Sequence, residues 1–110
     1  MDMTIHHGKS SLTPADEAQV RERVHFALER LSSRIRTLDV RFADLNGPRG
    51  GIDQQCTMEA ILVRHGSLVV AVKHVDAVAA ASEAANCLAR RVTDTTERLR
   101  HLRRRPKAAQ

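Results

Sequence analysis

Side chains able to bury recur through the last third of the chain in alternating steps of three and four, at Val78, Ala81, Ala85, Leu88, Val92, Thr95, Leu99 and Leu102. Helical spacing puts all of them on one stripe, so residues 76–105 predict a long amphipathic helix with Asp76 as its cap. Such a helix rises about 40 Å, more than a small domain needs to cover its own sheet. Its far end is expected to project toward a partner. Upstream, residues 3–7 alternate as a short first strand, and residues 9–12 are a polar connection. Thr13, Pro14 and Asp16 then form a helix start: Thr as N-cap, Pro at the first helical position and an acid placed for a capping box. The helix that follows puts Val20, Val24, Ala27, Leu28 and Leu31 on one face, with Arg23, Arg30 and Arg34 along one flank and Glu22 and Glu29 on the far side.

Leu38, Val40 and Phe42 alternate with Asp39, Arg41 and Ala43 in a half-buried strand, which runs into a turn rich in Asn and Gly at residues 44–51. Residues 55–63 predict the next strand, Arg64-His65-Gly66-Ser67 a hairpin connection, and residues 68–75 the last strand. That strand is apolar on both faces through Val69, Val70, Ala71 and Val72, which makes it central or leaves one face to meet something else. The order is β-α-β-β-β-α. Two helices with one apolar stripe each pack most simply side by side on one face of a four-stranded, mainly antiparallel sheet, an α+β fold. Residues 1–105 read as a single domain, a length that supports one modest core, and residues 106–110 as a disordered tail.

Charge changes the picture. The formal net charge of +5 is uneven: residues 76–110 hold eight Lys and Arg against four acids, whereas residues 1–75 hold ten against nine. Arg91, Arg98 and Arg105 repeat every seven residues beside the apolar stripe, with Arg90 and Arg104 elsewhere on the same helix. Positive charge gathered on one element favours a polyanion such as nucleic acid. The competing readings are a solvated helix face and, for Arg23, Arg30 and Arg34, pairing with acids along their own helix. With two Phe and neither Tyr nor Trp, the composition argues against stacking unpaired bases on aromatic platforms. Recognition of folded nucleic acid by backbone and shape needs only donors and positive charge.

Candidate chemistry is sparse. The glycines of residues 46–51 lack the Gly-Lys-Ser/Thr of a phosphate loop and lead into a strand, leaving a hairpin loop or a phosphate contact by Arg49. No Cys or His pair has zinc-site spacing, and His6 and His7 are neighbours that point to opposite faces of a strand. Cys56 and Cys87 read as small buried hydrophobes, and Asp44 and Asp53 as loop caps. The expectation is a non-enzyme with no cofactor, no metal and no small-molecule substrate. No secretory or membrane-length apolar run appears, which reads as a cytoplasmic chain with free thiols and no membrane partner.

Asp76-Ala77-Val78-Ala79-Ala80-Ala81, followed by Leu88-Ala89-Arg90-Arg91-Val92 and Glu97-Arg98-Leu99-Arg100, resembles the Asp-x-aromatic-Ala-Ala-Ile helix start and basic helix end of the ribosome hibernation-promoting factors. That family includes the ribosome-associated inhibitor once described as a sigma-54 modulation protein. Arg34-Ile35 before the second strand also fits, and the resemblance extends over nearly the whole chain. Val78 stands where an aromatic is usual, Lys73 and His74 replace acids, and the loop at residues 46–51 is longer than in short members, which marks a divergent branch. The resemblance implies a short-form factor similar to double-stranded-RNA-binding folds, lodged on the 30S subunit and its 16S rRNA, that holds translation inactive under stress. The rRNA contacts are then expected from Arg23, Arg30, Arg34, Lys73, Arg90, Arg91, Arg98, Arg104 and Arg105. The alternatives are an interaction module forming a weak homodimer through the outer face at Val69, Ala71 and Val75, and a small enzyme using Cys56 or Cys87.

Overall fold

A computed structural model describes residues 1–8, 12–44 and 54–104, with side chains up to residue 98. The elements, in order, are β1 (Asp2–His6), α1 (Pro14–Leu28), a 3-10 turn (Glu29–Arg34), β2 (Ile35–Asp44), β3 (Gln54–Leu62), β4 (Ser67–His74) and α2 (Ala77–Arg104). The strands form one sheet in the order β1-β2-β3-β4. β1 runs parallel to β2, and the two following pairs are antiparallel. A parallel neighbour requires a long crossover, which α1 and the 3-10 turn supply.

Local chemistry starts both helices. The Thr13 side chain accepts from the Asp16 N–H at 3.1 Å while Asp16 Oδ2 accepts from the Thr13 N–H at 3.2 Å, with Pro14 at the first helical position. This reciprocal pairing satisfies donors that the helix itself leaves open. At α2, Asp76 Oδ2 accepts from the Ala79 N–H at 2.9 Å, and the Asp76 carbonyl accepts the Ala80 N–H at 3.0 Å. Both caps stand where the sequence puts them.

One core lies between a single face of the sheet and the two helices. α1 contributes Val20, Val24 and Leu28, β2 contributes Leu38, Val40 and Phe42, and β3 contributes Cys56, Met58, Ala60 and Leu62. From α2, the stripe residues Val78, Ala81, Ala85, Leu88 and Val92 are buried and Thr95 is half-buried, and Ala80, Ala84 and Ala89 are buried as well. The buried face is wider than the stripe because α2 packs against β3 and β4 on one side and α1 on the other. Leu99 and Leu102 lie beyond the described side chains.

β2 begins three residues before its alternating run. The register steps two residues on β2, Ile35 to Thr37, against one on β3, Leu62 to Ile61. This bulge lets Ile35 and Leu38, which strict alternation would send to opposite faces, both turn inward. Gly66, at φ 77°, closes the β3–β4 hairpin in the left-handed region that glycine tolerates. β4 is an edge strand, so its apolar run is not that of a central one. Val70 is buried beneath α2, while Val69 and Ala71 are exposed on the outer face.

Candidate nucleic-acid interface

The arginine rows flank α2 on opposite sides. On the α1 side, Arg23 borders an open groove of about 630 Å³ with Phe26 and Ala27 and, from α2, Ser82 and Asn86. Arg30 borders its continuation, which shares Phe26, Ala27 and Asn86. Arg34, half-buried in the 3-10 turn, crosses to α2 and donates from Nη1 to Thr96 Oγ1 at 2.8 Å. The Thr96 hydroxyl in turn donates to the Val92 carbonyl at 2.9 Å, which fixes the acceptor.

The other flank faces the sheet edge. Arg91 donates from Nη1 to the Val69 carbonyl at 2.6 Å, tying α2 to the edge strand. Arg98, two helical turns on, is exposed on the same flank, and Arg90 is exposed with Nη2 3.9 Å from the Cys87 sulfur. Lys73 is exposed on the outer face of β4 opposite Gln55, so the fold does not bring it to the helix arginines. The side chain of Arg104 and all of Arg105 lie outside the described residues, as do the loop at residues 46–51, Asp53 and the tail.

Ion pairs decide between a structural and an available set of cations. Among the described residues one joins Arg21 to Glu17 at 3.4 Å, and His6 Nε2 lies 3.6 Å from Asp39 Oδ1 and His7 Nε2 3.2 Å from Glu17 Oε2, contacts that are ionic only when the imidazole is protonated. Pairing along α1 is therefore real for Arg21 and does not extend to Arg23 or Arg30. On α2, Asp94 sits four residues from both Arg90 and Arg98 and forms no ion pair with either. Among the described residues Arg23, Arg30, Arg90 and Arg98 thus present exposed guanidinium groups free of carboxylates, while Arg34 and Arg91, also without an ion pair, each donate a hydrogen bond to a neutral acceptor. The two histidines diverge, but not as neighbours in one strand: β1 ends at His6, which reaches Asp39 in the sheet, and His7 just beyond it reaches Glu17 on α1.

The sequence gives no reason to single out Phe26, which is 84% exposed beside that groove. The one signal is its place off the stripe of Val20, Val24 and Leu28.

Cys56 is fully buried, and burial pushes its thiol up to about 12 from 9.0. A thiol held protonated in apolar surroundings is a poor nucleophile. Because the folded-state value is the higher one, its stabilising effect is complete below about pH 9 and is lost as pH rises toward 12. The chain has no tyrosine to titrate in the same window. Urea unfolding between pH 8 and pH 11 is expected to show a decline above about pH 9, with a slope approaching 1.4 kcal/mol per unit, that Cys56→Ala flattens. An equal decline in the variant assigns it elsewhere. Among the described residues no three His, Cys, Asp or Glu side chains gather to hold a metal, and no helix is long and apolar enough to cross a membrane.

No protein-family model matches the chain, and no curated protein matches it. Among solved structures, the fold is similar to the crystal structure of the Thermus thermophilus protein Y N-terminal domain, with a TM-score of 0.65 at 18% identity, covering 84% of this chain and 96% of that one. It is similar also to a ribosomal subunit interface protein from Coxiella burnetii, with a TM-score of 0.65 at 10% identity, covering 88% of this chain and 99% of that one. Both neighbours share the α+β fold of this chain.

Proposed function

We propose that the chain is a non-catalytic, cytoplasmic ribosome-associated factor that grips 16S rRNA of the 30S subunit through its helix layer and keeps the particle from translating under stress. Residues 1–105 act as one binding unit. The observation that carries this reading is the set of guanidinium groups at Arg23, Arg30, Arg90 and Arg98, exposed and, among the described residues, unpaired with carboxylates. They stand on a fold similar to that of a ribosomal subunit interface protein. Arginines locked onto acids would spend their charge internally; these present donors that suit phosphate oxygens in fixed positions. Arg104 at the end of α2 and Arg105, the next residue in sequence, add to the contacts, and Lys73 marks a separate, weaker point on the sheet.

Sedimentation with purified ribosomes tests the proposal. The chain is expected to pellet with 30S and 70S particles at low salt, with affinity falling linearly in log[salt]. Failure to comigrate at low salt sinks it.

A second reading has its own observation. Val69 is 48% exposed and Ile61 42% exposed on the outer sheet face beside the open edge of β4. A homodimer through that face buries both. Light scattering separates the readings, since a monomer at all concentrations leaves the dimer without support.

A further inference from the structure

We propose that the groove between α1 and α2 is a base-binding site, in which one unstacked base of a folded RNA lies against the ring of Phe26 while Arg23 and Arg30 hold the adjoining phosphates. This rests on the reading of the chain as an RNA-binding factor and assigns part of that contact to a defined subsite. The motivating anomaly is the ring itself. A chain with two phenylalanines buries one, Phe42, and leaves the other 84% exposed. Leaving such a side chain in water forgoes the stabilisation that burying it would bring.

The surroundings indicate what covers it. Helical spacing puts Arg23 and Arg30 on the side of Phe26 toward α2, one about a turn before the ring and one a turn after. Neither forms an ion pair among the described residues. Across the groove, α2 contributes Ser82 and Asn86, and the small side chains of Ser82 and Ala27 leave space beside the ring. Asn86 offers an amide that both donates and accepts. Glu22 and Glu29 line the same groove on the side of Phe26 away from α2, where they repel phosphate and so favour the arginine side for an RNA backbone.

An aromatic face, two cations that can hold flanking phosphates and an amide at the base edge are the parts by which unpaired bases are held. A protein partner complementary to the same place would have to set carboxylates against both arginines while avoiding Glu22 and Glu29. The low aromatic content of the chain argues against a run of stacked bases. It does not bear on a single platform.

Replacing Phe26 with p-benzoylphenylalanine in the full chain, loading purified ribosomes and irradiating gives a direct readout. The expected product is a crosslink to RNA. A crosslink to a ribosomal protein or to a second copy of the chain, or none from bound protein, overturns the inference. In pelleting assays Phe26→Ala and Phe26→Leu are both expected to weaken binding by about fivefold to a hundredfold, the loss of one stacked base. Full affinity in the leucine variant overturns stacking, because leucine keeps apolar volume without a π face. An RNA hairpin with a single-nucleotide bulge, probed in the same way, separates this inference from the ribosome proposal. A chain that crosslinks to the hairpin through position 26 but does not pellet with ribosomes supports the base site and sinks the ribosome reading. A chain that pellets with ribosomes but gives no RNA crosslink does the reverse.

Discussion

Reversing Arg90 and Arg98 together to glutamate is expected to weaken ribosome association at least about tenfold at low salt and to lower the slope of log affinity against log[salt] by about two, one for each phosphate contact removed. The pair is chosen on geometry. Arg91 belongs to the same basic row, but its guanidinium donates to the Val69 carbonyl at 2.6 Å, so its replacement also removes a hydrogen bond between α2 and β4. Arg34 is tied to Thr96 in the same way. Arg90 and Arg98 are exposed and carry no ion pair among the described residues, so their replacement leaves the core intact. New repulsion with Asp94, four residues from each, costs only a few tenths of a kcal/mol. The denaturation midpoint of the variant should therefore stay close to that of the parent, and binding alone should fall. Undiminished pelleting in a folded variant would remove Arg90 and Arg98 from the interface, leaving the α1 groove, the far end of α2 or the sheet as the contact.

What was legible in the chain is what local chemistry dictates. The caps at Thr13 and Asp76 depend on residues within three positions of each other, so they can be read without knowing the fold. The alternation of Leu38, Val40 and Phe42 likewise declares one buried face. The inward turn of Ile35 could not be read, because a bulge is defined by a neighbouring strand. Nor could the burial of Ala80, Ala84 and Ala89, since a second covered side of α2 appears only when α1 lies beside it. The apolar run of β4 was ambiguous for a similar reason: strand order decides between centre and edge.

The site follows the same division. That the arginines sort into rows was plain from the spacing. Which of them are free was not, because Arg34 meets Thr96 across 62 residues and Arg91 meets Val69 across 22. A charge pattern shows where cations gather, and only the three-dimensional partners show which are available for a ligand. Phe26 was hidden by its type: an aromatic in a helix is ordinarily taken as core, and its exposure is a property of the packed helices.

The same packing sets the largest stability effect expected. Leu88→Ala should destabilise the fold by about 2–5 kcal/mol, a large part of the stability ordinary for a domain of this size. Leu88 is fully buried in the core near the middle of α2, among the alanines at positions 84, 85 and 89. The substitution deletes the isopropyl end of the side chain, and the cost should rise with the cavity volume that the surrounding core leaves unfilled. Val92→Ala, one turn further along and equally buried, removes two methyl groups and should cost less. Equilibrium unfolding in urea followed by far-ultraviolet circular dichroism gives both values from midpoint shifts at constant slope. A loss below about 1 kcal/mol at Leu88 would mean that α2 does not seat on the sheet there, and would detach the basic helix from the scaffold that aims its arginines.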